Sequence, residues 1–134
     1  MIHIYDISDK PVLKFAEKVE YATVENTHYD LIVCSNVLEH VPYPKDLVMN
    51  IKKCMSKDSI LYIEVPLEDI VREAGMKKDT YKIKKHWHEH VNFYSESSIK
   101  EMMIQCGFRV KELKQLEATA GGHSSYLLQL ACHI

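Results

Sequence analysis

Tyr29-Asp30-Leu31-Ile32-Val33-Cys34-Ser35-Asn36-Val37-Leu38-Glu39-His40-Val41 is the stretch on which the reading of this chain turns. Its first six residues are nearly continuous in apolar side chains, as expected for a strand covered on both faces. Pro44 then opens a helix, a position where its missing N–H costs nothing. Leu47, Val48, Ile51 and Met55 recur at helical spacing and form the stripe this helix should bury. Ser59 to Val65 reads as another strand, ended by Pro66. Strand, helix and strand in that order predict a parallel pair with a crossover helix.

Outward from this unit, Ile2 to Tyr5 is a short strand ended by Asp6. Ser8 or Asp9 can cap a helix with Pro11 in its first turn. Val12, Phe15, Ala16 and Val19 give that helix its apolar spacing. Tyr21 to Val24 is a short strand candidate. Leu67 to Lys85 is charged and suggests a helical turn and a mobile loop. Ser95 caps a clear helix, with Ile99, Met102, Met103 and Cys106 on one face and Gly107 placed to stop it. Phe108 to Leu116 and Tyr126 to Cys132 read as strands joined through a turn at Gly121-Gly122. The expected architecture is α/β: a mainly parallel sheet with helices on both faces and an antiparallel C-terminal strand pair. No repeat or linker divides residues 1–134, so one domain is expected.

With 134 residues, 46% of them apolar, the chain can bury one core. Its formal net charge of −2 gives no footing for a nucleic-acid or membrane surface. Lys77, Lys78, Lys82, Lys84 and Lys85 cluster, either as a solvated loop or as an entry for an anionic substrate. Cys34, Cys54, Cys106 and Cys132 lie far apart in apolar stretches. Without a CxxC pair, zinc-ribbon and thioredoxin readings fail. Free thiols in a reducing compartment fit. The N-terminus lacks a basic region followed by an apolar run, and no stretch approaches a membrane span. A cytoplasmic protein is expected.

The order of elements and the D-L-I-V strand followed by N-V-L-E-H-V resemble class I S-adenosylmethionine-dependent methyltransferases, from their second strand to their end. Gly107-Phe108 after a helix matches a late region of the same family. The resemblance implies a Rossmann-like sheet. It implies that Asp6, at the end of the family's second strand, accepts hydrogen bonds from the two ribose hydroxyls of S-adenosylmethionine. A turn or helix-cap role for Asp6 stands beside this. Ser35 and Asn36, at the end of the D-L-I-V strand, are further cofactor contacts by the same likeness. The family's first strand and its E-x-G-x-G turn, whose glycines let backbone approach the cofactor, have no counterpart here. The glycines are Gly75, Gly107, Gly121 and Gly122. The domain is therefore expected to be truncated at its N-terminus. Its open sheet edges would then pair directly or be covered by a second chain, as in a homodimer.

His86-Trp87-His88-Glu89-His90 is the densest chemical feature. H-E-H followed by Phe93-Tyr94-Ser95 resembles methyltransferases acting on nucleotide-linked sugars. Gly121-Gly122-His123-Ser124 is a weaker match to a late G-G-S segment of those enzymes. By this likeness His90 is the general base and Glu89 its partner or a substrate ligand. His40 and His88 are expected to contact substrate, with packing as the rival for His40. Alternating His86, His88 and His90 could also face a metal from one side of a strand. They could equally brace a loop around Trp87. The resemblance accounts for the residues without a metal, and none is expected. The leading expectation is a methyltransferase for a small acceptor, a nucleotide sugar or polysaccharide precursor. The alternative is a non-catalytic remnant or partner subunit that keeps the fold without the cofactor.

Overall fold

The computed structural model describes residues 1–6, 14–73, 89–120 and 122–134. Ten elements follow in chain order. They are β1 (Ile2–Ile4), β2 (Ala16–Lys18), α1 (Tyr21–Glu25), β3 (Tyr29–Ser35), α2 (Pro44–Lys53), β4 (Met55–Pro66), α3 (Asp69–Arg72), α4 (Glu96–Gln105), β5 (Arg109–Ala120) and β6 (His123–His133). β1 and β2 pair in parallel as a two-stranded sheet, Ile2 opposite Ala16. The other four strands form one sheet in the order β3-β4-β6-β5. β3 runs parallel to β4, while β6 is antiparallel to both β4 and β5. The sheet is thus mixed and Rossmann-like, with the antiparallel pair at its C-terminal end. No helix among the described residues is long and apolar enough to cross a membrane.

The central strand β4 alternates strictly in its second half. Leu61, Ile63 and Val65 are fully buried, and Leu128, Leu130 and Cys132 of β6 continue the same face. Val48 of α2 and Ile99, Met102 and Met103 of α4 close over it, with Tyr94 and Phe108 at the margins. Helix α4 begins as its sequence predicts. The Ser95 hydroxyl accepts the Ser98 amide while the Ser98 hydroxyl accepts the Ser95 amide, a reciprocal capping box. It ends at Gly107, whose φ of 77° suits a residue without a Cβ, and the Phe108 amide reaches back to the Met103 carbonyl. Lys52 from the end of α2 donates to the carbonyls of Cys106 and Gly107, placing a cation at the negative end of α4.

Three local expectations change. Ala16–Lys18 forms a strand where the apolar spacing suggested a helix, and Tyr21–Glu25 forms a helix where a strand was expected. Pairing with β1 decides the first, and five residues are too few for a period to show. The capping positions Ser8, Asp9, Pro11 and Val12 lie outside the described residues. The third change concerns β3, which among the described residues is an edge strand covered on one face only. Cys34 is buried, but Leu31 is 58% and Val33 60% exposed on the opposite side. A continuous apolar run marks a strand without telling which face is covered.

Candidate functional site

Two segments meet at the carboxy end of β3. The first is the turn that follows the strand. Asn36 occupies the left-handed region with φ of 52°, a conformation Asn tolerates better than most side chains. Its amide continues the ladder to the Glu64 carbonyl at 2.9 Å. Beyond it, Leu38 and Glu39 are drawn inside while His40 stays near the surface. The second segment is the irregular stretch leading into α4. The amides of Val91 and Asn92 both donate to the Glu39 carbonyl, at 2.8 and 3.1 Å. The Asn92 side chain donates to the carbonyls of Leu38 and Val41 at 3.0 and 2.6 Å. The buried Tyr94 hydroxyl adds a third bond, to Leu38 at 3.1 Å. A turn whose carbonyls find no partner in secondary structure is thus satisfied by side chains and amides of the other segment.

This clamp assembles a cluster of four titratable groups. His40 Nδ1 lies 2.8 Å from the Glu89 carbonyl, and His90 Nδ1 lies 2.5 Å from Glu68 Oε1. The two imidazoles meet edge to face with centroids 4.8 Å apart. Glu39 Oε1 is 3.8 Å from His40 Nε2. Its other oxygen, Oε2, is buried and has no hydrogen-bond partner among the described residues. The Glu39 residue as a whole is 1% exposed. Burial raises its pKa above the ordinary glutamate value. The Glu39 backbone amide and the nearby His40 and His90 oppose the rise, and Glu68 adds to it.

Of the expected site residues, the structure brings His90 and His40 together. Glu89 meets them through its backbone carbonyl, and the carboxylate on the His90 ring is Glu68. Glu68 lies 22 residues from His90 in sequence, so no local signal announces it. Glu39 sits inside the N-V-L-E-H-V motif. An acidic residue between a buried leucine and a histidine was the signal available there. His86 and His88, and with them the alternating triad and the basic cluster, lie outside the described residues. Residues 89–95 form no strand. All four cysteines are free and buried, and burial, reinforced by Glu39, pushes the Cys34 thiol up to about 11. Such a thiol is inert at neutral pH.

The expected cofactor contacts lie at strand ends. Asp6 follows β1, which is joined to β3 by the His3–Tyr29 contact at 2.9 Å. The Ser35 hydroxyl donates to Glu64 at 2.9 Å and receives the Asn36 amide group at 3.2 Å. Glu64 also accepts from Gln129 at 2.7 Å and Tyr62 at 3.0 Å. Chiefly the Gln129 bond, with Ser35 and Tyr62 assisting, lowers the Glu64 pKa from its ordinary 4.5. A depressed carboxylate contributes stability at neutral pH that is lost as pH falls through its folded-state value. The group is only part-buried, so solvent screening keeps the effect to about 1 kcal/mol or less. Glu64→Gln should therefore lower the urea midpoint at pH 7, and the difference from wild type should shrink as pH falls and Glu64 becomes protonated.

Residues 2–113 match the family described as methyltransferase domain, and the chain belongs to that family. No curated protein sequence matches it. Among solved structures, a candidate methyltransferase of Bacillus halodurans C-125 superposes with a TM-score of 0.62 at 11% identity, covering 88% of this chain and 70% of that one. An S-adenosylmethionine-dependent methyltransferase of Methanosarcina mazei gives 0.59 at 15%, covering 88% and 66%. The [4+2]-cyclase SpnF gives 0.62 at 11%, covering 88% and 56%. At these identities the likeness establishes the fold, which is that of class I methyltransferases. The cyclase among them shows that this fold carries more than one reaction.

Proposed function

We propose that this chain serves S-adenosylmethionine-dependent methyl transfer to a small polar acceptor, such as a sugar nucleotide or polysaccharide precursor. The observation that carries the reading is the His90–Glu68 pair, held beside His40 at the carboxy end of the parallel strands. Ligands of open α/β sheets bind at that end. A carboxylate accepts from the ring, so Glu68 orients His90 and favours the tautomer with its proton on Nδ1. In this reading the imidazole of His90 assists loss of the proton from the oxygen or carbon to be methylated. His40, Glu89 and His88 belong to the acceptor's surroundings in this reading.

The cofactor, when bound, supplies an activated methyl group. The protein's part is to align the acceptor with it. Asp6 and the Ser35–Asn36 turn fit its polar ends: a carboxylate at the end of one strand, and a backbone turned into the left-handed region at the end of another. The glycine cradle for its methionine end has no equivalent in the first 74 residues. A second reading is a subunit that keeps the fold without the cofactor. A cytoplasmic location, and a second chain along the exposed β3 edge at Leu31 and Val33, complete the proposal.

Titration calorimetry with S-adenosylmethionine separates the two readings. One equivalent should bind, and Asp6→Ala should weaken binding by about tenfold, the loss of a charge-assisted pair of bonds. No heat at about 1 mM cofactor would leave the non-catalytic reading in its place.

A further inference from the structure

We propose that Glu64 is a positioning residue for the turn after β3. It sets which edge of the Asn36 amide faces outward, so that this turn receives a hydrogen-bond donor of the cofactor. The contact rests on the reading that S-adenosylmethionine binds at this strand end. The orientation of the amide does not.

Ser35, Glu64, Gln129 and Lys114 stand opposite one another across β3, β4, β6 and β5, as one row of the sheet. Side chains alternate along a strand, so Glu64 lies on the face away from the buried Ile63 and Val65. Its carboxylate takes the Ser35 hydroxyl on Oε1, and the Gln129 amide group and Tyr62 hydroxyl on Oε2. These bonds, Gln129 first, hold the carboxyl below the ordinary glutamate range. It is ionised at neutral pH and can only accept. Lys114, the cation of the row, is turned to Glu112 on its own strand at 2.7 Å.

The protons then fix the next link. A serine hydroxyl has a single proton, and Glu64 takes it. Ser35 Oγ therefore meets Asn36 with lone pairs only, and the amide turns its NH2 edge toward it, at 3.2 Å. Oδ1 is left on the opposite edge. Asn36 is exposed, and no described residue donates to that oxygen. The Asn36 backbone bond to the Glu64 carbonyl and the left-handed φ fix the place from which the amide is presented. The turn thus offers an acceptor. It suits an ammonium, amino or hydroxyl group and opposes a carboxylate.

Glu64→Gln reverses the chain of bonds. Gln129 and Tyr62 both donate to one side of residue 64, so the remaining carbonyl oxygen stays with them. The new NH2 turns to Ser35. The Ser35 hydroxyl accepts it and donates to Asn36, whose amide inverts to present NH2 outward.

Proton NMR of the ligand-free protein tests the orientation. Wild type should show cross-peaks from the Asn36 NH2 protons to the Ser35 β protons, and Glu64→Gln should lose most of their intensity. Calorimetry with S-adenosylmethionine tests the contact. Glu64→Gln should weaken binding by about tenfold, through a lost bond and a donor facing a donor. Asn36→Asp keeps the left-handed backbone and accepts on both edges. It should raise affinity at least about fivefold more in the Glu64→Gln background than in wild type. A merely structural loss at Glu64 would not be repaired from Asn36. Cross-peaks of equal strength in wild type and Glu64→Gln overturn the orientation. Equal affinity of those two proteins, or no repair by Asn36→Asp, overturns the contact. No binding by wild type sinks the cofactor reading and the contact with it, while the NMR comparison still decides what Glu64 does to Asn36.

Discussion

His90→Ala is expected to lower methyl transfer by about two to four orders of magnitude, the usual contribution of a positioned acid–base group. Cofactor affinity should stay within about twofold, because the contacts proposed for it lie at Asp6 and the Ser35–Asn36 turn. The loss should fall on kcat more than on KM, since the imidazole matters most when the acceptor proton leaves. Glu68→Gln is the companion change. A glutamine amide can present its NH2 to Nδ1 and so favour the wrong tautomer. A rate equal to wild type in His90→Ala, measured with a radiolabelled methyl group, would remove His90 from the reaction.

Ile63→Ala is the second large effect, and it concerns the fold. Ile63 is fully buried in β4, opposite Cys34 of β3 on one side and Leu130 of β6 on the other. The helices α2 and α4 close over that face, so the space cannot fill by collapse from solvent. Truncation there costs about 2–5 kcal/mol, through lost burial plus the cavity left behind. The whole domain is stabilised by about 5–15 kcal/mol, so a substantial share of the total is at stake. Ile63→Val, which removes one methylene, should cost only about 0.5–1.5 kcal/mol. Urea denaturation of both variants checks the ratio. A shift of similar size in the two would mean that Ile63 does not sit in a rigid core.

The middle and end of the chain were legible because their signals are local. Ser95 as cap, Gly107 as stop and the stripe of Ile99, Met102 and Met103 all act within a helix of ten residues. The strand pair after Gly107 likewise follows from short-range pattern and a glycine turn. The first 25 residues were misread where long-range pairing decides. Ala16 and Val19 fit a helical period, yet Ala16 lies opposite Ile2 in a parallel sheet. Only the structure supplies that contact. β3 was recognised as a strand, but its exposed residues Leu31 and Val33 show that composition alone does not say how many faces are covered. At the site, His40 and His90 were visible as chemistry, whereas Glu68 was not. A carboxylate 22 residues upstream joins the ring only through the packing of α3's entry against the stretch before α4.

The left-handed backbone at Asn36 carries a consequence for how this protein can change. A φ of 52° costs most side chains about 1–2 kcal/mol, and β-branched ones more. Glycine, asparagine and aspartate escape most of that cost. The position following β3 is therefore open to a very small alphabet, whatever molecule it meets. Variation in specificity has to be written at its neighbours, such as Val37 and His40, while Asn36 itself changes only among residues that can bend the chain the same way.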